Sequence, residues 1–373
     1  MKGKVWKLMG LLSIMIFVLS AANTVHAQTQ ITGVGVYPTA VAYDSGTHEV
    51  FVVNPDAGTL SVISDSSDSV TQTVSGLSFS PFGLAYDSGK GEMFVSEFQQ
   101  GSGSAVQIIP DSTYAVSGTI NVSGLGMAYD SSRGYMYICN GIISVYSDSS
   151  NSIIANITNI EVYGSCAYDS GTHTIWATPQ EGVNVYVIND QNNEVTKSIQ
   201  VAYLNPYEGP GNPTYDPAKG YIYVTNGTDV SVISDKSYKI VAVIHNVGGS
   251  LVYAGNDEII SSNGAVISDK TNTVTATLNV GTNPAGIAYD SSTGQIFVTN
   301  SNDPGTVTYT PVSSGTAVTA TPTSSSSSTS TATSTPKVPE FSSAALISVA
   351  AAMIALTVSA VTLKARTKKA LRK

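Results

Sequence analysis

One short motif recurs seven times along this chain: a small or apolar residue, then Tyr, then in six of the seven copies Asp. The tyrosines are Tyr43, Tyr86, Tyr129, Tyr168, Tyr215, Tyr253 and Tyr289. Successive copies stand 43, 43, 39, 47, 38 and 36 residues apart. That period belongs to four-stranded propeller blades and not to helical or leucine-rich repeats. Seven copies therefore predict an all-β, seven-bladed β-propeller.

The last full repeat shows how a blade is built. Gly286–Asp290 reads as a first strand and Ser291–Gly294 as a turn. Gln295–Asn300 reads as a second strand with alternating apolar and polar residues. In the repeat before it, Ala265–Ser268 turns through Asp269–Asn272 into a fourth strand from Thr273 to Val280. Each unit is thus four antiparallel strands, A to D. The seventh repeat stops after its third strand, Thr306–Thr310, whereas Gly33–Pro38 matches Asn279–Pro284 position for position. Residues 29–34 are therefore expected to complete blade seven as its fourth strand, pairing the free edges that otherwise invite aggregation.

Tyr223-Val-Thr-Asn226, echoed by Phe297-Val-Thr-Asn300, resembles the repeat signature of the YVTN family of β-propellers, found in archaeal surface-layer-type proteins and bacterial relatives. The resemblance covers residues 28–313. It departs from the pattern at Ala254, where other blades have Asp, and at Ala177-Thr-Pro179, which replaces Val-Thr-Asn. It implies a cell-surface binding or adhesion module.

Both flanks agree with display outside the cell. Lys2, Lys4 and Lys7 precede an apolar run from Leu8 to Ala22, and Val25-His-Ala27 is a small-x-small cleavage signal. Residues 1–27 thus read as a secretory signal peptide. Residues 314–338 are almost wholly Ser, Thr, Ala and Pro, a stalk composition that cannot bury a core. Ala344–Leu363 carries no charge and is long enough to span a bilayer as a helix; the basic tail from Lys364 to Lys373 would hold the cytoplasmic side. Pro339-Glu-Phe341 before it resembles the core of archaeal carboxy-terminal sorting signals. That likeness implies a sortase-like enzyme that removes the helix and transfers the new end to a lipid. The alternative is a permanent transmembrane anchor.

Setting aside the nine basic residues of the two ends, eight remain against 26 acidic ones, a net charge of −18 over residues 28–363. That argues against nucleic acid as a partner. Six aspartates (Asp44, Asp87, Asp130, Asp169, Asp216 and Asp290) open A–B turns, and six more (Asp65, Asp111, Asp148, Asp190, Asp235 and Asp269) open C–D turns. Short carboxylates there cap backbone amides, so all twelve read as turn residues on one face. His48, His173 and His245 fall in different places around the ring and cannot share a metal. No catalytic constellation, metal site or cofactor is implied.

Cys139 and Cys166 lie on neighbouring blades, as a disulfide or as buried free thiols. Asn121, Asn156 and Asn226 head N-glycosylation triplets. The two longest loops, Phe98–Ser104 and Tyr203–Asn212, fall on the face opposite the aspartates. There Phe98, Tyr203 and Tyr207 offer flat apolar surfaces, and Gln99, Gln100 and Glu208 hydrogen-bonding groups, for an envelope glycan or surface protein. The expected function is thus a non-catalytic, membrane-anchored surface binding module. Two other classes are an exported propeller enzyme, lactonase-like or cofactor-dependent oxidoreductase, and a purely structural coat component.

Overall fold

A computed structural model describes residues 29–77, 80–98, 104–122, 124–179, 182–201 and 211–312. The expected signal peptide, stalk and sorting motif Pro339, Glu340 and Phe341, and the expected span Ala344–Leu363, lie outside the described residues. Among the described residues no helix is long and apolar enough to cross a membrane.

The chain forms seven antiparallel blades in a closed ring. It opens with β1 (Thr29–Ile31) and then makes blade one from β2 (Val41–Asp44), β3 (Glu49–Asn54), β4 (Thr59–Ser64) and β5 (Ser69–Val74). Blade two is β6 (Ser80–Asp87), β7 (Glu92–Phe98), β8 (Ala105–Pro110) and β9 (Gly118–Ile120); blade three is β10 (Gly126–Asp130), β11 (Tyr135–Ser147) and β12 (Ser152–Val162). Blade four is β13 (Cys166–Asp169), β14 (Thr174–Ala177), β15 (Asn184–Asn189) and β16 (Val195–Gln200). Blade five is β17 (Pro213–Asp216), β18 (Tyr221–Thr225), β19 (Asp229–Ser234) and β20 (Ile240–His245). Blade six is β21 (Leu251–Tyr253), β22 (Glu258–Ser261), β23 (Ala265–Ser268) and β24 (Thr273–Thr277), and blade seven is β25 (Pro284–Asp290), β26 (Gln295–Asn300) and β27 (Thr306–Pro311).

Blade three holds strands B and C within the single element β11. Asn140-Gly141 turns the chain between them, with Gly141 at φ 75°, the Asn-Gly chemistry of a tight hairpin. The first half of β11 pairs with β10 and the second with β12. The Asp148 amide donates to the Gly134 carbonyl at 3.0 Å, the bond that joins the start of B to the end of C in other blades.

β1 closes the ring. It pairs antiparallel with β27 through Thr29↔Tyr309, Gln30↔Thr308 and Ile31↔Val307, so the chain start supplies strand D of blade seven. One part of the expectation needs correcting. Strand D is outermost in its blade, so β1 keeps one open edge like the other D strands, and closure ties the chain ends together without removing edges.

The ring is also continuous at its inner side, because each A strand contacts the A strand of the next blade and β25 contacts β2. These strands run so close that a Cβ on Gly126 would sit 2.4 Å from the Ser165 Cα, and one on Gly286 2.4 Å from the Thr39 carbonyl oxygen. At Gly126 and Gly286 the close approach requires glycine, whereas blades one, four, five and six carry Ala40, Ser165, Asn212 and Ser250 at the same place.

Seven apolar clusters fill the seven seams between neighbouring blades. The B strands are therefore covered on both faces, and Val50, Phe51, Val52 and Val53 are all fully buried. Simple alternation understates them for that reason. In five blades the C–D ladder carries a bulge at the same place, between Val62 and Ile63, Val145 and Tyr146, Val187 and Ile188, Val232 and Ile233, and Val266 and Ile267. Where the inserted D residue is threonine, its hydroxyl bonds the C-strand carbonyl, as Thr196 does to Val187 at 3.1 Å. The bulge lies just before the C–D aspartate.

Candidate functional site

The twelve turn aspartates meet across the seams. Each A–B aspartate does cap its own turn. Asp44 Oδ1 accepts the Gly46 amide at 2.7 Å and the Thr47 amide at 3.2 Å, and Asp87, Asp130, Asp169, Asp216 and Asp290 repeat the arrangement. The fourth residue on from this aspartate takes positive φ. It is Gly in four blades and His in two, with His48 at 61° and His173 at 56°.

The C–D aspartates do more than the expectation, because they also face the A–B aspartate of the preceding blade, while Asp111 and Asp235 still accept the amides of Ser112 and Lys236 in their own turns. In blade four the preceding residue caps the C–D turn, Asn189 Oδ1 accepting the Gln191 amide at 2.9 Å. Between the two carboxyls stands the motif tyrosine. Asp44, Tyr86 and Asp111 meet at the first seam; Asp87, Tyr129 and Asp148 at the second, where Tyr129 donates to Asp148 Oδ2 at 3.1 Å. Asp130, Tyr168 and Asp190 follow, then Asp169, Tyr215 and Asp235, then Asp216, Tyr253 and Asp269. At the closing seam Tyr43 meets Asp290 and Asp65, and Ser292 Oγ donates to Asp65 Oδ2 at 3.0 Å.

At the six seams that carry both carboxyls, the motif tyrosine thus reaches onto the blade before it. Burial raises the Tyr43 hydroxyl to about 12, and burial followed by the adjacent Asp44 pushes Tyr86 up further, so both stay protonated donors. Burial, then the facing A–B carboxylate, also raises Asp111, Asp190 and Asp235, and takes Asp269 to about 6.

The histidines do not converge. His48 Nδ1 lies 3.0 Å from the Tyr43 hydroxyl, His173 Nδ1 3.2 Å from that of Tyr168, and His245 Nδ1 2.8 Å from Asp229 Oδ2. Among the described residues no three His, Cys, Asp or Glu side chains form a metal-holding group.

The opposite face, formed by the B–C and D–A connections, carries exposed aromatics. Tyr37, Phe82 and Tyr163 are 44%, 50% and 48% exposed; Tyr37 and Tyr163 stand in the connections ahead of an A strand, and Phe82 at the irregularity near the start of β6. Their place on this face is fixed by contacts: the Tyr37 amide donates to the Asn302 carbonyl of blade seven's B–C loop at 2.9 Å, and the Tyr163 ring lies over Gly141 of blade three's B–C turn. Tyr163 also borders an open cavity of about 470 Å³ with Asn140, Gly141, Ser144 and Glu161. Sequence reasoning missed these residues; an aromatic immediately before Pro or Gly ahead of three of the motif tyrosines was the signal available.

Of the residues expected on this face, Phe98 ends β7; Gln99, Gln100, Tyr203, Tyr207 and Glu208 lie outside the described residues. Cys139 and Cys166 are both buried as free thiols at the blade three–four seam, Sγ to Sγ 2.7 Å. Burial, then Cys166, pushes the Cys139 thiol up. Asn121 and Asn156 are exposed, whereas Asn226 is 3% exposed and its Nδ2 reaches Ser231 Oγ at 3.5 Å. No protein-family model matches this chain, and no curated protein matches it.

Proposed function

We propose that this protein is a cell-surface binding or adhesion module of the YVTN-repeat kind, held outside the cell by its carboxy-terminal segment and docking an envelope glycan or surface protein. The binding surface is the B–C and D–A face. What supports this reading is the placement of Tyr37, Phe82 and Tyr163 on that face, each about half exposed, with Tyr163 beside a cavity bordered by Asn140 and Glu161. Flat aromatic faces next to amide and carboxylate groups suit a sugar ring, whose C–H face stacks while its hydroxyls are hydrogen-bonded. The twelve aspartates of the other face serve inter-blade contacts, which favours binding over catalysis.

The test replaces Tyr37, Phe82 and Tyr163 together by Ser. Because all three side chains are exposed, melting is expected to stay unchanged while retention on isolated cell envelope falls at least tenfold. Equal retention of variant and parent protein would remove this face from the proposal.

A further inference from the structure

Six seams pair two carboxyls, and the seventh has lost both at once. Ala254 stands where the other blades have the A–B aspartate. Val312 stands where they have the C–D aspartate: its amide donates to the Gly294 carbonyl at 2.9 Å, as the Asp65 amide does to His48 at 3.3 Å. Ala254 and Val312 belong to the same seam, between blades six and seven, and pack there with Tyr289. Aspartates that served only their own turns would have no reason to vanish as a pair. The two positions act as a unit.

The six pairs are not equally satisfied. In blades one, four and seven a threonine hydroxyl donates to the second oxygen of the A–B aspartate, Thr47 to Asp44 at 2.9 Å, Thr172 to Asp169 at 2.6 Å, and Thr293 to Asp290. In blades two, three and five that residue is Lys90, Arg133 or Lys219, and Oδ2 of Asp87, Asp130 and Asp216 is buried without a donor. At the seam of blades two and three, Tyr129 supplies a donor to the partner Asp148. At two seams both partners lack a hydrogen bond: both oxygens of Asp269 are buried without a donor, and both of Asp190 likewise, with only the His173 ring, 3.4 Å from Oδ2, close by. Asp190 and Asp269 are each 1% exposed, and Asp130 and Asp216 fully buried. In both pairs the carboxyls come within hydrogen-bond reach of each other.

Two buried carboxylates in contact repel and leave acceptors facing acceptors. One proton between them removes a charge and supplies the missing donor. We propose that Asp130–Asp190 and Asp216–Asp269 each bind one shared proton in mildly acidic solution, so that mild acid tightens the blade three–four and five–six seams.

The surrounding charges leave room for this role. Near the first pair stand Arg133, His173, 3.4 Å from Asp190 Oδ2, and Tyr135, Tyr137 and Tyr168. Near the second, Lys219 and Lys270 are both engaged by Asp257, at 3.4 Å and 2.5 Å, with Tyr221, Tyr223 and Tyr253 alongside. A calcium ion would need six to eight oxygen ligands. Among the described residues no three His, Cys, Asp or Glu side chains form a metal-holding group, which favours the proton.

The sign follows from linkage. Burial, then Asp216, raises Asp269 to about 6, above the unfolded value of about 3.9. The stabilisation is therefore complete below about 3.9 and lost as pH rises through the folded value.

The experiment uses the full-length protein and compares melting at about pH 5 and about pH 8 for the parent, D190N/D269N and D56N. Asp56 is exposed, so D56N reports the effect of net charge alone. The Asn amide donates permanently to Asp130 or Asp216, as the shared proton would. The parent is expected to gain stability towards the lower pH, D56N to gain nearly as much, and D190N/D269N less than half as much. D190N/D269N should also melt above D56N at the higher pH. If D190N/D269N does not fold, D216A/D269V transplants the Ala254 and Val312 pair, and its pH gain should also fall below that of D56N. A D190N/D269N or D216A/D269V response equal to that of D56N overturns the proposal. So does a calcium chelator that lowers the melting temperature of the parent but not of the variants.

Discussion

A chain that begins at Gly35 lacks the closing strand, and the structure sets the size of the effect. Such a chain loses Ile31, 3% exposed, and Val34, 8% exposed, from the cluster formed with Val50, Val52, Ile63, Phe297 and Val307. At about 1.5–3 kcal/mol for each buried aliphatic side chain, the loss is roughly 3–6 kcal/mol. The ladder bonds to β27 are worth about 1 kcal/mol each. The freedom regained by the strand residues, about 1–2 kcal/mol each, largely cancels them. For a propeller of roughly 280 residues each kcal/mol moves the melting temperature by about 2 °C, so a fall of roughly 6–12 °C is expected.

The seam to blade one survives the deletion, because Thr299 Oγ1 still donates to the Thr39 carbonyl at 2.9 Å and Ser292 to Asp65 at 3.0 Å. The ring should therefore loosen at the outer part of blade seven before it opens. Calorimetry gives the temperature, and hydrogen exchange should rise at the β27 amides bonded to β1, while those paired with β26 stay protected. A melting temperature within about 2 °C of the parent, with the β1-facing amides of β27 still protected, would refute the closure argument.

The motif tyrosines predict a contrast. Tyr129→Phe removes the donor to Asp148 and should cost about 1–3 kcal/mol, whereas Tyr289→Phe, beside Ala254 and Val312, should cost under about 0.5 kcal/mol; denaturant titration of both variants checks it. Cys139 and Cys166, both buried, should resist alkylation in the folded protein and take two labels once unfolded; no label after unfolding would mean a disulfide. In protein purified from its own cells, peptide mass spectrometry should find glycan on the exposed Asn121 and Asn156 and none on the buried Asn226.

The ring itself was legible because each blade repeats the same Tyr-Asp turn and because the incomplete last repeat matches the chain start. Both signals are local in sequence. The seam pairs were not legible in the same way. Asp130 and Asp190 belong to different repeats, and a reading that compares equivalent positions stacks them in separate columns, so each looked like a turn residue. Shifting one column by a blade would have set Ala254 beside Val312 and exposed the pairing. The aromatic face was missed for another reason. Tyr37, Phe82 and Tyr163 stand six, four and five residues before their motif tyrosines, so no fixed offset marks them, and attention went to loop length instead.

The two faces of the ring divide the chemistry. On the A–B and C–D face, side-chain polarity is spent between blades: the aspartates cap turns, receive the motif tyrosines and, at two seams, face each other without a donor. Changes there act on how blades hold together. On the B–C and D–A face, strand-end Asn54 and Asn300 bond within their own blades, Asn54 Nδ2 to Ser61 Oγ at 3.0 Å and Asn300 Nδ2 to Thr308 Oγ1 at 2.8 Å, and Asn54 Oδ1 also accepts the Gly35 amide of the connection into blade one at 3.1 Å. A rigid scaffold with variable loops at one end is where recognition evolves most readily. A substitution on the aspartate face should thus move stability and its pH dependence with little effect on envelope retention, and one at Tyr163 should do the reverse. Measuring both quantities on both variant sets separates scaffold from site.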